Sequence, residues 1–303
     1  MIRSVAVMGT IVTIHVVLPE RGVGDDQHAS DVDERIETAF DWFRRVEACC
    51  TRFDPESELM QLTAHVGVAV PVSELLYEAV HFAVAVAEET GGAFDPTVGH
   101  RMETRGFNRE YRTGREVRTI LDPASAATYL DIVCDDTNKT ITLRRPLVLD
   151  LGAVAKGMAV DLAVRELRPY TDFAIDAGGD LYLAGCGPGG APWSVGIRHP
   201  RLDRELIDAI RVSNVAVCTS GDYEREDHIL DPRTGDSVDA VVSVTVVAPT
   251  AMVADALATA AFVLGPVEGI RLLERQGVDG LIVSASLGRV MTKGMHDAAA
   301  DRS

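Results

Sequence analysis

A carboxylate and a hydroxyl stand four residues apart in Ala254-Asp255-Ala-Leu-Ala-Thr259, within a run otherwise apolar enough for a buried helix. At that spacing both oxygens project from one helix face, about a turn apart. Hard oxygen ligands so arranged suit Mg²⁺, which takes one or two protein groups and completes its octahedron with water and ligand phosphate. An Asp favouring the helix dipole and a Thr bonding back to a carbonyl would explain the same pair without a metal. Far upstream, Asp150-Leu-Gly-Ala-Val-Ala-Lys-Gly-Met158 ends a β-branched apolar run at an acid and opens a helix through Gly152, with Lys156 near its start. Backbone N–H groups, the helix dipole and a cation together would receive an anion there. A lysine so near a helix start opposes the dipole, which favours a ligand for it over a purely structural place, a solvated surface lysine being the alternative. Read together, the two segments describe a site for a metal-bound phosphate ester.

Three more turns carry acidic, hydroxyl or glycine residues: Gly91-Gly-Ala-Phe-Asp-Pro-Thr-Val-Gly99, Asp176-Ala-Gly-Gly-Asp180 and Thr219-Ser-Gly-Asp-Tyr223. Each alone is explained by local turn preference, so their number is the signal. His228-Ile-Leu-Asp-Pro232 sets a histidine beside an expected strand, where a structural hydrogen-bonding role is the ordinary one. Gly185-Cys-Gly-Pro-Gly-Gly190 precedes Ala-Pro-Trp and a strand rather than a helix, so it reads as a hairpin loop and not a dinucleotide fingerprint.

The elements that must hold these residues follow from periodicity. A strand opens the chain within Met1 to His15, and Pro19 to Asp33 reads as a surface loop ending at an acidic helix start. Ile36, Phe40, Phe43 and Val46 recur at helical spacing; a second helix starts from Ser73 as N-cap, aligns Leu76, Val80, Ala83 and Ala87, and ends at Gly91-Gly92. The charged stretch from Arg101 to Arg118 reads as a mobile loop. Short β runs follow at Asp131–Cys134, Thr140–Leu143 and Leu147–Leu151, then a helix over Ala153–Leu167. Further strands are expected at Phe173–Ile175, Leu181–Ala184, Trp193–Arg198, Ala209–Val212, Ala216–Cys218 and Val241–Val247. Two helices, Ala251–Leu264 and Val267–Gln276, precede a closing hairpin at Gly280–Met291. Strands in hairpins with helices at intervals give an α+β fold of mixed or largely antiparallel sheets flanked by helices. A single domain over 1–292, of two intimately packed lobes at most, and a flexible tail over 293–303 complete the expected organisation.

The 303 residues, 47% hydrophobic, are enough to bury a substantial core. A formal charge of −17 argues against nucleic acid and anionic membranes as partners, so any phosphate must be received locally. Five cysteines (Cys49, Cys50, Cys134, Cys186, Cys218) without a CxxC pair point to buried free thiols, not a disulfide frame or a zinc site. No signal peptide and no long uninterrupted apolar span stands out, so a cytoplasmic protein is expected.

In order along the chain these pieces resemble the ApbE family of FAD:protein FMN transferases. The resemblance rests on Met8-Gly9-Thr10, Ser57-Glu58-Leu59, Gly92 to Gly99, Asp150 to Gly157, Gly178-Gly179-Asp180, Thr219 to Tyr223, His228 to Pro232 and Ala254 to Thr259. It implies an ApbE-like fold with an FAD cleft between two lobes. Mg²⁺ would bridge the pyrophosphate of FAD, and the FMN half would pass to a Ser or Thr hydroxyl of an acceptor flavoprotein, releasing AMP. By family pattern the metal falls to Asp255, Thr259 and the Ala153 carbonyl, and the FAD contacts to Met8, Phe53, Ala93, Phe94, Asp95, Asp150, Lys156 and Ile229. Phe53 is the aromatic available to pack on a flavin or adenine ring.

In that chemistry Lys156 and the metal, held by Asp255, would stabilise charge building on the phosphoryl oxygens. His228 is the first candidate to take the hydroxyl proton, since its ordinary pKa lies near neutrality, with Asp255 or Asp180 as alternatives. The chain departs from the family in having Thr63 where Asn is frequent and Asp227 where the first of two histidines is frequent, and in lacking the lipoprotein signal that many members carry. The competing readings are a Mg²⁺-dependent FAD pyrophosphatase giving FMN and AMP, and a non-catalytic FAD-binding protein.

Overall fold

The computed structural model describes residues 1–18, 25–119, 126–222 and 229–300. The opening apolar run, expected as one strand, is a hairpin of β1 (Ile2–Val7) and β2 (Thr10–Val16). Its turn residues Met8 and Gly9 both have positive φ, 55° and 73°, the conformation whose twist matches that of the flanking strands. The next helix, α1 (Asp25–Cys50), begins inside the segment expected as loop. Fully buried Val32 continues the stripe of Ile36, Phe40, Phe43 and Val46 one turn upstream, which is why the helix extends there.

A short α2 (Glu58–Thr63), β3 (Ala69–Pro71) and α3 (Glu74–Glu89) follow. Ser73 caps α3 as its composition requires, accepting the Leu76 N–H at 3.2 Å. The helix closes where Gly92 N–H reaches the Ala87 carbonyl, 2.9 Å, with Gly91 and Gly92 at positive φ. The Arg101–Arg118 stretch, expected as a mobile loop, instead overlaps α4 (Gly99–Thr104) and then a small hydrogen-bonded ribbon. After β4 (Ile132–Asp135) and β5 (Thr140–Leu143), the Leu147–Leu151 run forms no strand. It is extended and buried, but its neighbour is the loop at Pro96–Gly99, which offers one isolated bridge and too short a ladder.

Then come α5 (Gly152–Leu167), β6 (Phe173–Ala177), β7 (Leu181–Ala184), β8 (Trp193–Arg198), β9 (Leu206–Val212) and β10 (Val215–Gly221). The chain ends with β11 (Val241–Ala248), α6 (Ala251–Arg275), β12 (Asp279–Ser284), β13 (Arg289–Met291) and α7 (Lys293–Ala300). The Gly185–Gly190 loop closes no hairpin: β7 and β8 belong to different sheets, and β8 pairs with β9. The two helices expected after Val247 are present as the two arms of α6, separated by the non-helical Gly265, φ 79° and ψ 179°, ahead of Pro266. The tail does not fray over Lys293–Ala300; α7 docks through fully buried Met295, and the Thr292 hydroxyl bonds Asp279 at 2.8 Å.

The architecture is α+β and antiparallel throughout its sheets. Eight strands run in the order β1-β2-β6-β7-β10-β11-β12-β13, with a three-stranded sheet β3-β5-β4 and the β8-β9 pair beside it. Helices α1, α5 and α6 cover one face of the large sheet, while β8, β9 and α7 cover part of the other. Buried on both faces, β11 therefore reads Val-Val-Ser-Val-Thr-Val-Val, without the polar alternation of a half-exposed strand. Helix α6 is long and apolar enough to cross a membrane, with a mean hydropathy of 1.5, but here it is the central helix of the core.

Helices α5 and α6 touch backbone to backbone. A Cβ on Gly157 would lie 2.5 Å from the Met252 Cα and 2.6 Å from the Ala251 carbonyl oxygen, so only glycine fits. Gly157→Ala is expected to push the helices apart and cost about 1–3 kcal/mol. A lower urea midpoint at constant m value would report this, and an unmoved midpoint would mean that the contact relaxes freely.

Candidate active site

Helix α6 brings Asp255 and Thr259 to the floor of a cleft of about 1420 Å³, and α5 brings Lys156 against them. The Lys156 ammonium bonds the Asp180 carboxylate and lies 3.3 Å from Asp255 Oδ2. Asp180 is 3% exposed and Asp255 5%, so two carboxyl groups are buried around one ammonium. Such a group is costly to bury without a further cation or strong donors. Burial alone would favour the neutral amine of Lys156, but the Asp180 and Asp255 charges outweigh it and hold its pKa above the ordinary lysine value. Lys156 is thus a fixed cation, and a proton acceptor must be sought elsewhere. The adjacent Cys218 thiol, fully buried beneath the trio, is pushed well above its ordinary pKa by burial and then by the same two carboxylates, which keeps it a neutral thiol.

Each member is placed by a separate local device. The Asp176–Asp180 turn joins β6 to β7, with Gly179 N–H on Asp176 Oδ1 at 3.0 Å and Ala177 N–H on the Asp180 carbonyl at 2.9 Å. A Cβ on Gly178, φ 69°, would collide with Thr10 Oγ1 at 2.2 Å, which locks this turn against the β1–β2 hairpin. Asp161, one turn beyond Gly157 on α5, accepts the N–H groups of Ala251 at 2.8 Å and Met252 at 3.0 Å. A carboxylate from one helix therefore caps the other and sets the height of Asp255 relative to Lys156. Thr259 Oγ1 lies 3.3 Å from Ser220 Oγ of β10. Ala153, inside the first turn of α5, has φ −91° and ψ 15°, and since ψ sets the direction of a carbonyl, its oxygen leaves the helical path.

The Asp255 carboxylate, the Thr259 hydroxyl and the Ala153 carbonyl line the same cleft. As a set of hard oxygen donors, carboxylate, hydroxyl and carbonyl, they fit Mg²⁺. Among the described residues no three His, Cys, Asp or Glu side chains gather as a metal-binding group, so a cation here relies on this mixed set and on ligand oxygens.

The expected ligand-contact residues Met8, Phe53, Ala93, Phe94, Asp95, Asp150, Lys156 and Ile229 all line the cleft as well. Several of them are already engaged by the protein. Asp95 accepts Thr97 N–H at 2.9 Å and Tyr129 N–H at 3.1 Å, so its carboxylate builds the loop and leaves backbone and Phe94 to face a ligand. Asp150 accepts Gly152 N–H at 2.8 Å and Arg52 Nε at 2.7 Å. Of the first amides of α5, expected to receive an anion, Gly152 N–H is taken by Asp150, and Val154 and Ala155 N–H by the Leu151 carbonyl. Lys156 lines the same cleft with its ammonium on Asp180 and Asp255. His228 lies outside the described residues.

Two cleft residues, Arg52 and Glu47, escape a reading by motif, whereas Ser220 belongs to the Thr219–Tyr223 turn. Arg52, buried, ties Asp150 to the Phe107 carbonyl and places its guanidinium 4.3 Å from the centre of the Phe53 ring. Glu47 accepts Met8 N–H at 3.0 Å. Ser220 meets Thr259. Neither Arg52 nor Glu47 has a spacing partner in sequence; Asp161 does, since Gly157 and Asp161 are i and i+4, one face of α5. The Ser57-Glu58-Leu59 segment proves to be scaffolding for this wall. Ser57 caps α2 and donates to the Thr51 carbonyl at 2.6 Å, while Glu58 accepts the Ser73 hydroxyl at 2.6 Å.

Asp161→Ala is expected to orphan two amides at the start of α6 and to destabilise the fold by about 1–2 kcal/mol. Thermal unfolding of the two proteins at one pH measures this, and equal melting temperatures would remove Asp161 from the account.

Residues 8–282 match the model of the ApbE family. The chain is 31% identical to the FAD:protein FMN transferase of Treponema pallidum, over 93% of this chain and 83% of that one. It is 29% identical to the enzyme of the same name from Haemophilus influenzae, over 82% and 78%. Among solved structures, the ApbE protein of Thermotoga maritima superposes with a TM-score of 0.85 at 32% identity, covering 99% of both chains. The flavin transferase ApbE of Vibrio cholerae gives 0.81 at 27% identity, covering 96% of both.

Proposed function

The chain belongs to the ApbE family, and from that premise we propose that it is a transferase moving the FMN moiety of FAD to a Ser or Thr hydroxyl of a protein acceptor, releasing AMP. The observation that carries the reading is the Lys156 ammonium held by the buried Asp180 and Asp255 carboxyl groups in a cleft of about 1420 Å³. That volume exceeds the roughly 300–1,000 Å³ of ordinary small-molecule sites, leaving room for a dinucleotide and for an approaching protein segment.

In the proposed reaction the acceptor oxygen bonds to the FMN phosphorus as the anhydride bond to AMP breaks, and AMP leaves with the electron pair. Negative charge grows on the phosphoryl oxygens, and Lys156, a cation throughout the neutral range, is held by Asp180 to meet it. Asp255, Thr259 and the Ala153 carbonyl are the residues proposed to hold Mg²⁺. When bound there, Mg²⁺ would supply Lewis-acid charge to the diphosphate oxygens. Phe53, steadied by Arg52, offers an aromatic face to a ring of FAD. His228 is the proposed acceptor of the hydroxyl proton, because Lys156 is fixed as an ammonium and both Asp180 and Asp255 are engaged with it.

Incubation with FAD, Mg²⁺ and a candidate acceptor flavoprotein is expected to raise the acceptor's intact mass by one FMN moiety. Free FMN and AMP with no mass gain would identify a pyrophosphatase instead. Lys156→Gln should slow transfer by about a hundredfold. Asp255→Ala should abolish most Mg²⁺ uptake in calorimetry, whereas Thr259→Ala should weaken it by only about tenfold because water can take the place of the hydroxyl.

For His228→Ala the expected loss is about a hundredfold or more in transfer rate at neutral pH, together with the acidic limb of the pH profile. A variant with an unchanged profile would reassign the base.

A further inference from the structure

Beyond α4 the chain leaves the body of the fold as a narrow ribbon with its own internal bonding. Glu110 N–H donates to the Arg115 carbonyl at 2.9 Å, Val117 N–H to the Asn108 carbonyl at 2.8 Å and Gly114 N–H to the Glu110 carbonyl at 2.8 Å. These bonds tie the ribbon to itself as one unit. Its root is buried at Asn108 and Val117, and the Arg52 guanidinium holds the Phe107 carbonyl beneath it. Gly106, immediately before, has φ 91° and ends α4, with its N–H on the Glu103 carbonyl at 3.0 Å and the Phe107 N–H on the Met102 carbonyl at 3.0 Å.

The tip is held differently. Tyr111 and Arg112 are exposed, and among the described residues their side-chain bonds to the body converge on Glu47 of α1. The Tyr111 hydroxyl donates to Glu47 Oε1 at 2.8 Å, the Arg112 guanidinium pairs with Oε2, and Met8 N–H reaches the same Oε1 at 3.0 Å. The Gly9 backbone also faces the Tyr111 hydroxyl. One carboxylate therefore joins three walls of the cleft: α1, the β1–β2 turn and the ribbon. Arg109, Tyr111, Arg112 and Arg115 line that cleft. A stiff segment with a buried root, an exposed tip and one ionic fastening has the mechanics of a flap.

We propose that residues 107–117 form a flap over the flavin cleft and that Glu47 is the positioning residue that latches it to the Met8 turn. The latch governs how fast FAD is exchanged, and this rests on the reading of the cleft as an FAD site. Partly exposed ion pairs open readily, so the fastening is strong enough to enclose the ligand and weak enough to release it.

The test is flavin exchange followed by stopped-flow fluorescence with FAD and Mg²⁺. Glu47→Gln keeps an oxygen for Met8 and Tyr111 but turns an amide N–H toward Arg112, so one arm of the latch breaks. Arg112→Gln breaks the same arm from an exposed position where folding is not at stake. Each is expected to release FAD about tenfold faster, with the double variant no worse than either single one. In transfer assays KM for FAD should rise more than kcat changes, Arg112→Lys should recover part of the loss, and hydrogen exchange over 107–117 should quicken in both Gln variants. Unchanged release rates in a wild type and variants that all bind FAD, or effects that simply add, overturn the latch alone. A wild-type chain that binds no FAD overturns the flavin reading, and the latch with it.

Discussion

Two buried carboxylates, Asp180 and Asp255, share one ammonium, and the rest of the cleft is arranged around that unequal pairing. Neither acid could be buried so near the other without the Lys156 ammonium that both of them face. The three residues come from α5, the β6–β7 turn and α6, elements that meet nowhere in sequence. Their meeting depends on two features of α5: Gly157 lets α6 approach to backbone contact, and Asp161 fastens the first amides of α6. Helix α5 thus supplies the cation, the close approach and the cap within six residues, 156–161.

Much of what reads as ligand chemistry in the motifs is employed as carpentry. Asp95 and Asp150 spend their carboxylates on loop amides, Ser57 caps α2, Glu58 holds the Ser73 cap of α3, and Gly178 admits Thr10. Their effect on a ligand is to hold Phe53, Phe94 and the Met8 turn as walls. Turns rich in Asp, Ser and Gly are where a chain can satisfy its own backbone donors, so such residues shape a cleft before they touch its contents.

Charge is distributed with the same locality. The chain carries −17 overall, yet Arg44, Arg52, Arg109, Arg112, Arg115, Arg198 and Lys156 gather round one cleft. Glu47, Asp54, Asp95, Glu110, Asp150 and Asp255 line it as well, so the cations are interleaved with acids there, while the net charge of the whole chain disfavours a long polyanion.

The sequence by itself determined the element types and the identity of most cleft residues. The helical stripe of α1, the Ser73 cap, the Gly91-Gly92 stop and the Asp255–Thr259 pair are all set by interactions within about a turn, which spacing records faithfully. Only the tertiary structure decided the burial of β11 on both faces, the hairpin at Met8-Gly9, the docking of α7 and the failure of Leu147–Leu151 to become a strand, since each depends on which distant element lies alongside. It also decided that the opening amides of α5 are taken by Asp150 and Leu151, and that Arg52, Glu47 and Asp161 belong to the cleft. A lone charged side chain has no period, and its partner is chosen by the fold through hydrogen-bond geometry and desolvation rather than by any neighbour in the chain.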